Sequence, residues 1–166
     1  NEIVYIKSFI SLFNHRMKDC STQTIFDEIN TSPKALHYTL YKSALNPEMY
    51  WSLPLSYRQK RVLSNFRCSS HSLMIEKGRH MKIDRDYRFC QYCLKQNIYT
   101  VENEFHFLLV CPLYSEWRTR YFRNEWLTAV VCEHLFITIM SDVRTDSVFS
   151  LARFLVCAFE LRDSIV

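Results

Sequence analysis

The sequence predicts an all-α fold with a small Cys3His zinc knuckle inserted between helices. Three observations favour this class. Only one glycine and four prolines occur among 166 residues, so the chain lacks the many tight turns that an all-β fold needs. Apolar residues make up 48% and charged residues 23%, a balance typical of a folded chain. Apolar side chains also recur at helical spacing through most of the sequence.

Residues 1–57 are expected to form the first of three segments, and it is predicted to be helical. Apolar side chains follow helical spacing through residues 2–18, and a Ser-Thr pair after them is expected to cap a second, short helix. Ser32 followed by Pro33 is typical of a helix start, and a leucine pattern continues it to residue 45. Two prolines in residues 46–55 predict a connection.

Residues 58–126 form the second expected segment, which holds a basic stretch, the knuckle and the helix after it. Residues 127–166 form the third, a helical pair. The elements predicted here are a helix starting at Ser56, an irregular basic stretch over 68–89, a helix over 102–110, a helix from Pro112 to about Trp126, and two helices at roughly 128–141 and 146–163.

Four potential metal ligands follow one another in the order Cys90-x2-Cys93-x12-His106-x4-Cys111. Two residues between the first cysteines let both sulfurs lie on one side of a tight turn, and the spacing of the second pair is typical of zinc sites. Five residues on a continuous α-helix would separate the last two ligands by about 140°. Pro112 disfavours α conformation at the residue before it, so the helix is expected to end at Cys111 and the four side chains to converge.

Other interpretations of this pattern stay open. The cysteines could be buried thiols beside a packed histidine. A redox CxxC is a further alternative, although no βαβ context surrounds it. Zinc suits three thiolates and one imidazole best, and iron is the alternative metal. Four protein ligands leave no open coordination position, so one structural zinc ion is predicted, holding residues 79–115 folded because little other core is expected there.

Positive charge is concentrated just before the cysteine pair. Residues 58–88 carry nine Lys and Arg against three acidic residues, whereas the net charge of the whole chain is only +4. Cations attract phosphates, and aromatic rings stack on unpaired bases. An ordinary solvated surface is the alternative. The predicted nucleic-acid contacts are Arg58, Lys60, Arg61, Arg67, His71, Lys77, Arg79, Lys82, Arg85, Tyr87 and Arg88.

The sequence contains no convincing catalytic constellation. A single glycine excludes a glycine-rich phosphate loop, and no HExxH motif occurs. Asp84 and Asp86 lie in a basic stretch and are expected to form local ion pairs. We therefore predict that the chain by itself is not an enzyme.

Seven cysteines cannot all pair, and no signal-peptide pattern is seen, so an intracellular protein, nuclear or cytoplasmic, is predicted rather than a secreted one. The most apolar window, residues 126–140, is shorter than the roughly 20 residues that cross a bilayer. No membrane partner is therefore expected. A second interpretation assigns the aromatic helices of residues 1–45 or 128–166 to a protein partner, with the zinc still structural.

The run from Leu63 to Tyr114, roughly a third of the chain, resembles the zinc-binding segment that follows the reverse transcriptase of LINE-type, non-LTR retrotransposons. The matching parts are LSNFRCSSHSLMIEKGR, RDYRFCQYC and ENEFHFLLVCPLY. The resemblance implies that the four ligands above bind zinc and that Arg67, His71 and Arg79 contact nucleic acid. It also implies that the chain is a C-terminal part of a reverse transcriptase-like protein.

In that family the segment helps to hold template RNA or target DNA during target-primed reverse transcription. This chain departs from the whole-protein pattern, because it has no Tyr-x-Asp-Asp polymerase motif and no recognisable nuclease motif after the knuckle. The implied function is therefore non-catalytic binding of RNA template or target DNA beside a polymerase. A transposon-derived segment that now binds another protein is the alternative.

Overall fold

The computed structural model describes residues 2–32, 37–42 and 46–165, with side chains from Tyr5 onward. These residues are predominantly helical, which confirms the all-α prediction, and their only β-type pairing is an isolated antiparallel bridge between Phe89 and Val101. The helices are α1 (Glu2–Thr31), α2 (Tyr38–Tyr41), α3 (Tyr57–Arg67), α4 (Met74–His80), α5 (Gln91–Leu94), α6 (Ser115–Tyr121), α7 (Asn124–Leu127), α8 (Glu133–Ser141) and α9 (Thr145–Ile165). Short 3-10 turns occur at Met49–Trp51, Arg85–Tyr87 and Pro112–Tyr114, and a π-helical turn at His106–Val110.

Helix α1 is one continuous helix where two were predicted. The Ser21 hydroxyl donates to the Met17 carbonyl at 2.9 Å and the Thr24 hydroxyl to the Cys20 carbonyl at 3.0 Å. These side chains therefore bond back along the helix instead of capping a new one. The helix expected from Ser32-Pro33 to residue 45 falls largely outside the described residues, which contain only α2 from that region.

The stretch 68–89, predicted to be irregular, contains helix α4 and a 3-10 turn. The N-terminus of α4 has no side-chain cap from its own segment. Instead, the buried carboxylate of Glu102 accepts a hydrogen bond from the backbone N–H of Met74 at 2.6 Å. A negative group at this end of a helix is stabilising, because the first N–H groups lack partners within the helix. A residue distant in sequence therefore starts α4.

The region predicted as one helix after Pro112 consists of a 3-10 turn, α6 and α7, with a break at Phe122. The extended backbone at Phe122 directs its ring into the core, where its centroid lies 5.4 Å from that of Trp126 and 4.9 Å from that of Phe154. Burial of this ring explains why the helix does not continue. The helix predicted at Ser56 is confirmed: Ser56 caps α3 and forms a capping box with Gln59.

One hydrophobic core joins the elements from Tyr50 to Ala158, and helix α9 lies at its centre. Phe154, Leu155 and Ala158 of α9 are completely buried, and α9 packs against α3 and α6. Cys90, Cys93 and Cys111 belong to the same core. The expectation that little core surrounds residues 79–115 is therefore wrong. The division of the chain into three segments stays a prediction.

Helix α1 differs from the other long helix, since none of its described side chains is buried. Large apolar residues are exposed along it, including Phe9 at 64% and Leu12 at 69%. None of the described helices combines the length and the apolar character that crossing a membrane requires.

Candidate metal centre

Residues 88–102 form a small loop that brings the first two cysteines together. The backbone N–H of Cys90 donates to the Thr100 carbonyl at 2.9 Å, and that of Glu102 to the Arg88 carbonyl at 2.9 Å. Between the residues joined by these two hydrogen bonds, the chain forms α5 and then turns at Asn97. The φ of Asn97 is 60°, in the left-handed region that asparagine tolerates. This closed loop places Cys90 and Cys93 on one side of a tight turn.

The second pair of candidate ligands is positioned by the π-helical turn. The Asn103 side chain accepts a hydrogen bond from the backbone N–H of His106 at 2.8 Å and so starts the helical segment. The N–H of Cys111 then donates to the carbonyl of His106 at 2.8 Å, five residues back. A π turn adds residues per turn relative to an α-helix, so residues five apart come closer to one face. Cys111 ends this segment, as Pro112 predicts.

The four predicted ligands converge. One ligand atom from each of the four residues lies within 4.8 Å of all the others. The Sγ of Cys111 is 3.8 Å from the Sγ atoms of both Cys90 and Cys93, and the Sγ of Cys93 is 3.5 Å from Nε2 of His106. Each of the four residues is at most 3% exposed. The spacing of the motif therefore predicted a buried cluster that could hold one metal ion.

These distances fit a tetrahedral metal site. Around a zinc ion with Zn–S bonds of about 2.3 Å and Zn–N bonds of about 2.0 Å, two sulfurs lie about 3.8 Å apart and a sulfur and a nitrogen about 3.5 Å apart. The sulfur separations in the cluster are far longer than the roughly 2.05 Å of a disulfide, and all three cysteines are free. Four donors also leave no position open for a substrate.

The electrostatics of the cluster favour a bound cation. The hydrogen bond from the Cys111 thiol lowers the pKa of Cys90 to about 3, whereas burial raises the pKa of Cys93 to about 11. The bond to Cys90 and burial also raise the pKa of Cys111 above its ordinary value. Three buried thiolates would repel one another, so all three ionise together only when a positive ion neutralises them.

Arg118 stabilises the end of the segment that carries His106 and Cys111. Its guanidinium donates to the Cys111 carbonyl at 2.6 Å and to the Leu108 carbonyl at 3.4 Å. Burial lowers the pKa of Arg118. A cation at the C-terminus of a helix satisfies carbonyls that lack intrahelical partners. No local pattern indicated this role, because the contact forms only after the chain turns at Pro112.

Two buried carboxylates, Glu102 and Glu104, attach the candidate metal centre to the helical core. Glu104 accepts hydrogen bonds from Ser69 Oγ at 2.6 Å, His37 Nδ1 at 2.9 Å and His71 Nε2 at 3.0 Å. Burial raises the pKa of Glu104, but the bonds from the two histidines outweigh burial and keep that pKa below its ordinary value. Glu104 therefore holds two distant segments, one with His37 and one with Ser69 and His71, around the start of the helical segment that carries His106.

Glu102 performs a similar role towards α9. Both of its carboxylate oxygens lie 2.8 Å from the guanidinium of Arg162, and both side chains are only 2% exposed. Sequence reasoning missed both carboxylates. The available signal was a pair of acidic residues directly before the apolar run that continues to Val110.

Three of the predicted nucleic-acid contacts are engaged within the protein. The Arg67 guanidinium donates to the Met140 carbonyl, lies 3.3 Å from Glu48 and covers the ring of Tyr41. His71 is bound to Glu104, with its side chain 2% exposed. Arg88 donates to the carbonyls of Ile83 at 2.9 Å and Ile75 at 2.7 Å. These side chains therefore have structural contacts within the protein, and their predicted role in nucleic-acid binding stays a prediction.

Three further predicted contacts are engaged at the surface. Arg58 pairs with Glu160 at 2.5 Å, Arg79 pairs with Glu76 at 2.9 Å, and the Lys60 ammonium donates to the Trp51 carbonyl at 2.8 Å. The other predicted contacts are exposed, and none of their side chains has a hydrogen bond or ion pair to the rest of the described chain: Arg61, Lys77, Lys82, Arg85 and Tyr87. These five residues are therefore the predicted nucleic-acid contacts whose side chains are both exposed and unengaged within the described chain.

Fold and site together define the class of this protein: a helical protein with a buried Cys3His cluster that could hold a metal ion. Comparisons with protein-family models, curated proteins and solved structures gave no match to this chain. The resemblance to the retrotransposon segment therefore rests on the quoted residues alone.

Proposed function

We propose that the protein is a non-catalytic nucleic-acid-binding module whose helical body is stabilised by one zinc ion on Cys90, Cys93, His106 and Cys111. The observation that carries this proposal is the buried tetrahedral arrangement of four donors directly beside a basic, exposed surface. Such a closed site has a structural role. Any function in binding must then come from the surface that the site supports.

Lys77, Lys82 and Arg85 lie on helix α4 and in the stretch that follows it towards the knuckle, and we call them the basic edge. Helix α4, which carries Lys77, is fastened to the knuckle because the N–H of Ile75 donates to the Glu102 carbonyl at 3.0 Å. Arg88 adds a second connection through the Ile75 carbonyl. The basic edge is therefore held at a defined position relative to the metal centre, where its cations would contact phosphates.

The resemblance of residues 63–114 extends the proposal. A module of this kind would grip template RNA or target DNA beside an RNA-directed DNA polymerase, with the chemistry carried by another part of the protein. Such a role needs cations that contact phosphates and a rigid support for them. The basic edge and its hydrogen-bonded connection to the knuckle are consistent with both needs.

The metal part of the proposal is tested by native mass spectrometry of the full chain with and without a chelator. We expect one zinc ion per chain. Cys93→Ser should abolish zinc binding because it removes one of four ligands. Cys157→Ser is the matched control and should bind zinc normally, since Cys157 lies on α9 beside Tyr121. Iron instead of zinc, or equal zinc content in both variants, would contradict the assignment.

The binding part is tested by measuring affinity for RNA, single-stranded DNA and duplex DNA over a range of salt concentrations. We expect affinity to fall steeply as salt rises. A triple alanine variant of Lys77, Lys82 and Arg85 should weaken binding and reduce the salt slope by about one for each phosphate-binding cation removed. The matched control replaces three cations of α1, Lys7, Arg16 and Lys18, and should change binding much less. A flat salt response would exclude the proposal.

A second candidate function, a protein-interaction module, is favoured by the exposed apolar side chains of α1. Ile3, Ile6, Ile10, Phe13 and Met17 follow the alternating three- and four-residue spacing of a coiled-coil seam. From Ile6 to Met17 the seam residues are all at least 50% exposed. Most helical stability in proteins comes from packing, so a helix of this length with no buried side chain from Tyr5 to Thr31 needs a partner. A second copy of α1 supplies the same seam.

Sedimentation analysis tests whether the protein self-associates through α1. Replacing the seam residues Ile6 and Phe13 by serine should abolish self-association. Tyr5 and Leu12 are large exposed residues of the same helix that lie outside the seam, at 80% and 69% exposed, so their double serine variant is the matched control and should still associate. A wild-type chain that stays monomeric at high micromolar concentration would refute self-association through α1.

A further inference from the structure

Three aromatic rings in contact lie on the knuckle and the turn that precedes it. The Phe89 ring meets Tyr87 with 6.1 Å between centroids and Tyr99 with 5.6 Å, and both contacts are edge-on. The bridge between Phe89 and Val101 and the hydrogen bond between Cys90 and Thr100 hold these two stretches side by side. We call Tyr87, Phe89 and Tyr99 the aromatic ledge.

The outer two rings of the ledge are directed to solvent. Tyr87 is 66% exposed and Tyr99 is 68% exposed, whereas Phe89 is partly buried between them. Neither tyrosine hydroxyl hydrogen-bonds to any part of the chain that the structure describes. Tyrosines of the core, such as Tyr50 and Tyr114, are nearly fully buried. Packing within the protein therefore does not explain the position of the two outer rings.

The cations around the ledge outnumber the carboxylates only slightly. Lys82 and Arg85 precede it and Lys95 lies on the knuckle, while Asp84 and Asp86 are exposed in the same stretch. Cations interrupted by carboxylates bind phosphates only moderately, and charge alone does not favour a single strand over a duplex. A nucleic acid that bound here would need a second source of affinity, and exposed rings provide one.

We infer that the aromatic ledge stacks unpaired bases, so that the ligand of this surface is a single-stranded nucleic acid rather than a duplex. The inference rests on the proposed function and specifies its ligand. Base faces in a duplex are covered by neighbouring base pairs, whereas those of a single strand are free to stack on aromatic rings. RNA and DNA single strands share this chemistry, and the basic edge would hold their phosphates.

Fluorescence anisotropy with the full zinc-loaded chain tests the inference. The probes are a labelled oligouridylate, an oligothymidylate of the same length, and a duplex of that length. Tyr87→Leu and Tyr99→Leu remove the rings but keep an apolar side chain. Each should weaken single-strand binding about tenfold and leave duplex binding unchanged. Tyr57→Leu is the control, because Tyr57 is 77% exposed on α3 and lies outside the ledge.

The outcomes separate this inference from the proposed function. If the duplex binds as tightly as the single strands and the two ledge variants bind like wild type, while the basic-edge variant is weakened, the ledge proposal fails and the proposed function survives. If no probe binds at low salt, both fail. A preference for oligouridylate over oligothymidylate that Tyr99→Leu removes would support the ledge and identify RNA as its ligand. The reverse preference, removed in the same way, would identify DNA.

Discussion

At the scale of single residues, the one glycine of the chain has a packing role. Gly78 lies within α4, and the Arg88 side chain crosses it on the way to the carbonyls of Ile83 and Ile75. A Cβ atom at position 78 would lie 2.7 Å from Cγ and 2.9 Å from Cδ of Arg88. Only glycine leaves room for this anchor, which connects α4 to the knuckle.

Gly78→Ala should therefore destabilise the protein. Alanine normally stabilises a helix interior by up to about 1 kcal/mol relative to glycine, but the clash with Arg88 should cost more, giving a net loss of about 1–2 kcal/mol. Chemical denaturation measures the effect. In an Arg88→Ala background the same substitution should be neutral or stabilising, because the clash is gone. A stabilised Gly78→Ala single variant would show that Arg88 does not occupy this space.

The buried ion pair between Glu102 and Arg162 gives a second prediction at this scale. Arg162→Met should cost about 3–5 kcal/mol in unfolding free energy, because it leaves the Glu102 carboxylate buried without its charge partner. Arg153→Met on the exposed side of the same helix is the control and should change stability by less than about 0.5 kcal/mol. A double variant that also replaces Glu102 by leucine should lose less than the sum of the single losses. Strict additivity would argue against a direct pair.

At the scale of secondary-structure elements, α1 and α9 are both long but contribute differently to stability. Helix α9 has buried residues along its whole length, whereas the described side chains of α1 are all at least partly exposed. Both helices carry apolar residues at helical spacing in the sequence. The difference arises because α3 and α6 pack on α9.

Phenylalanine substitutions compare the two helices directly. Phe154→Ala in α9 should cost about 3–5 kcal/mol, because the side chain is fully buried among other rings. Phe9→Ala in α1 should change the stability of the monomer by less than about 0.5 kcal/mol. Thermal and chemical unfolding at low protein concentration provide the measurement. Equal losses would mean that α1 packs against the core.

Helix α4 and the break at Phe122 show why element boundaries were mispredicted. The cap of α4 comes from Glu102, and the break after α6 occurs where the Phe122 ring enters the core. Both causes lie outside the local sequence. Where the cap is local, as with Ser56 and Gln59 at α3, the prediction was correct.

At the scale of the whole molecule, the candidate metal centre and the helical body share one core. The three cysteines are packed with Phe107 and Leu108, and Phe107 in turn contacts Phe154 and Phe159 of α9. If the cluster binds a metal, as we propose, loss of that metal would therefore affect more than residues 88–111. Zinc binding contributes about 10 kcal/mol or more in small peptides, which is comparable to the whole stability of an ordinary domain.

Removal of zinc by a chelator should thus unfold the helical body cooperatively. Hydrogen exchange followed by mass spectrometry should show that amides of α3 and α9 lose protection together with those of residues 88–111. The exposed helix α1 is the internal reference and should exchange similarly in both states. Exchange that increases only within residues 88–111 would instead mean that the knuckle unfolds independently.

The candidate metal-ligand set could be identified from the local sequence. All four ligands lie within residues 90–111, and their separation is controlled by short-range features: a two-residue turn, a return loop and a proline after Cys111. Such features act through neighbouring backbone geometry, so spacing alone predicted the cluster. The helical class was also predictable, because it depends on composition and periodicity along the chain.

The role of each charged residue, in contrast, depended on the tertiary structure. Arg67 and Arg162 are basic residues like Lys77 and Arg85 in the sequence, yet the first two are buried and the others are exposed. Their partners, Met140 and Glu102, are 73 and 60 residues away. A buried charge persists only where such a partner compensates its lost hydration. The fold determines which distant groups meet, and so it separates the cations that are buried in the core from those that are exposed at the surface.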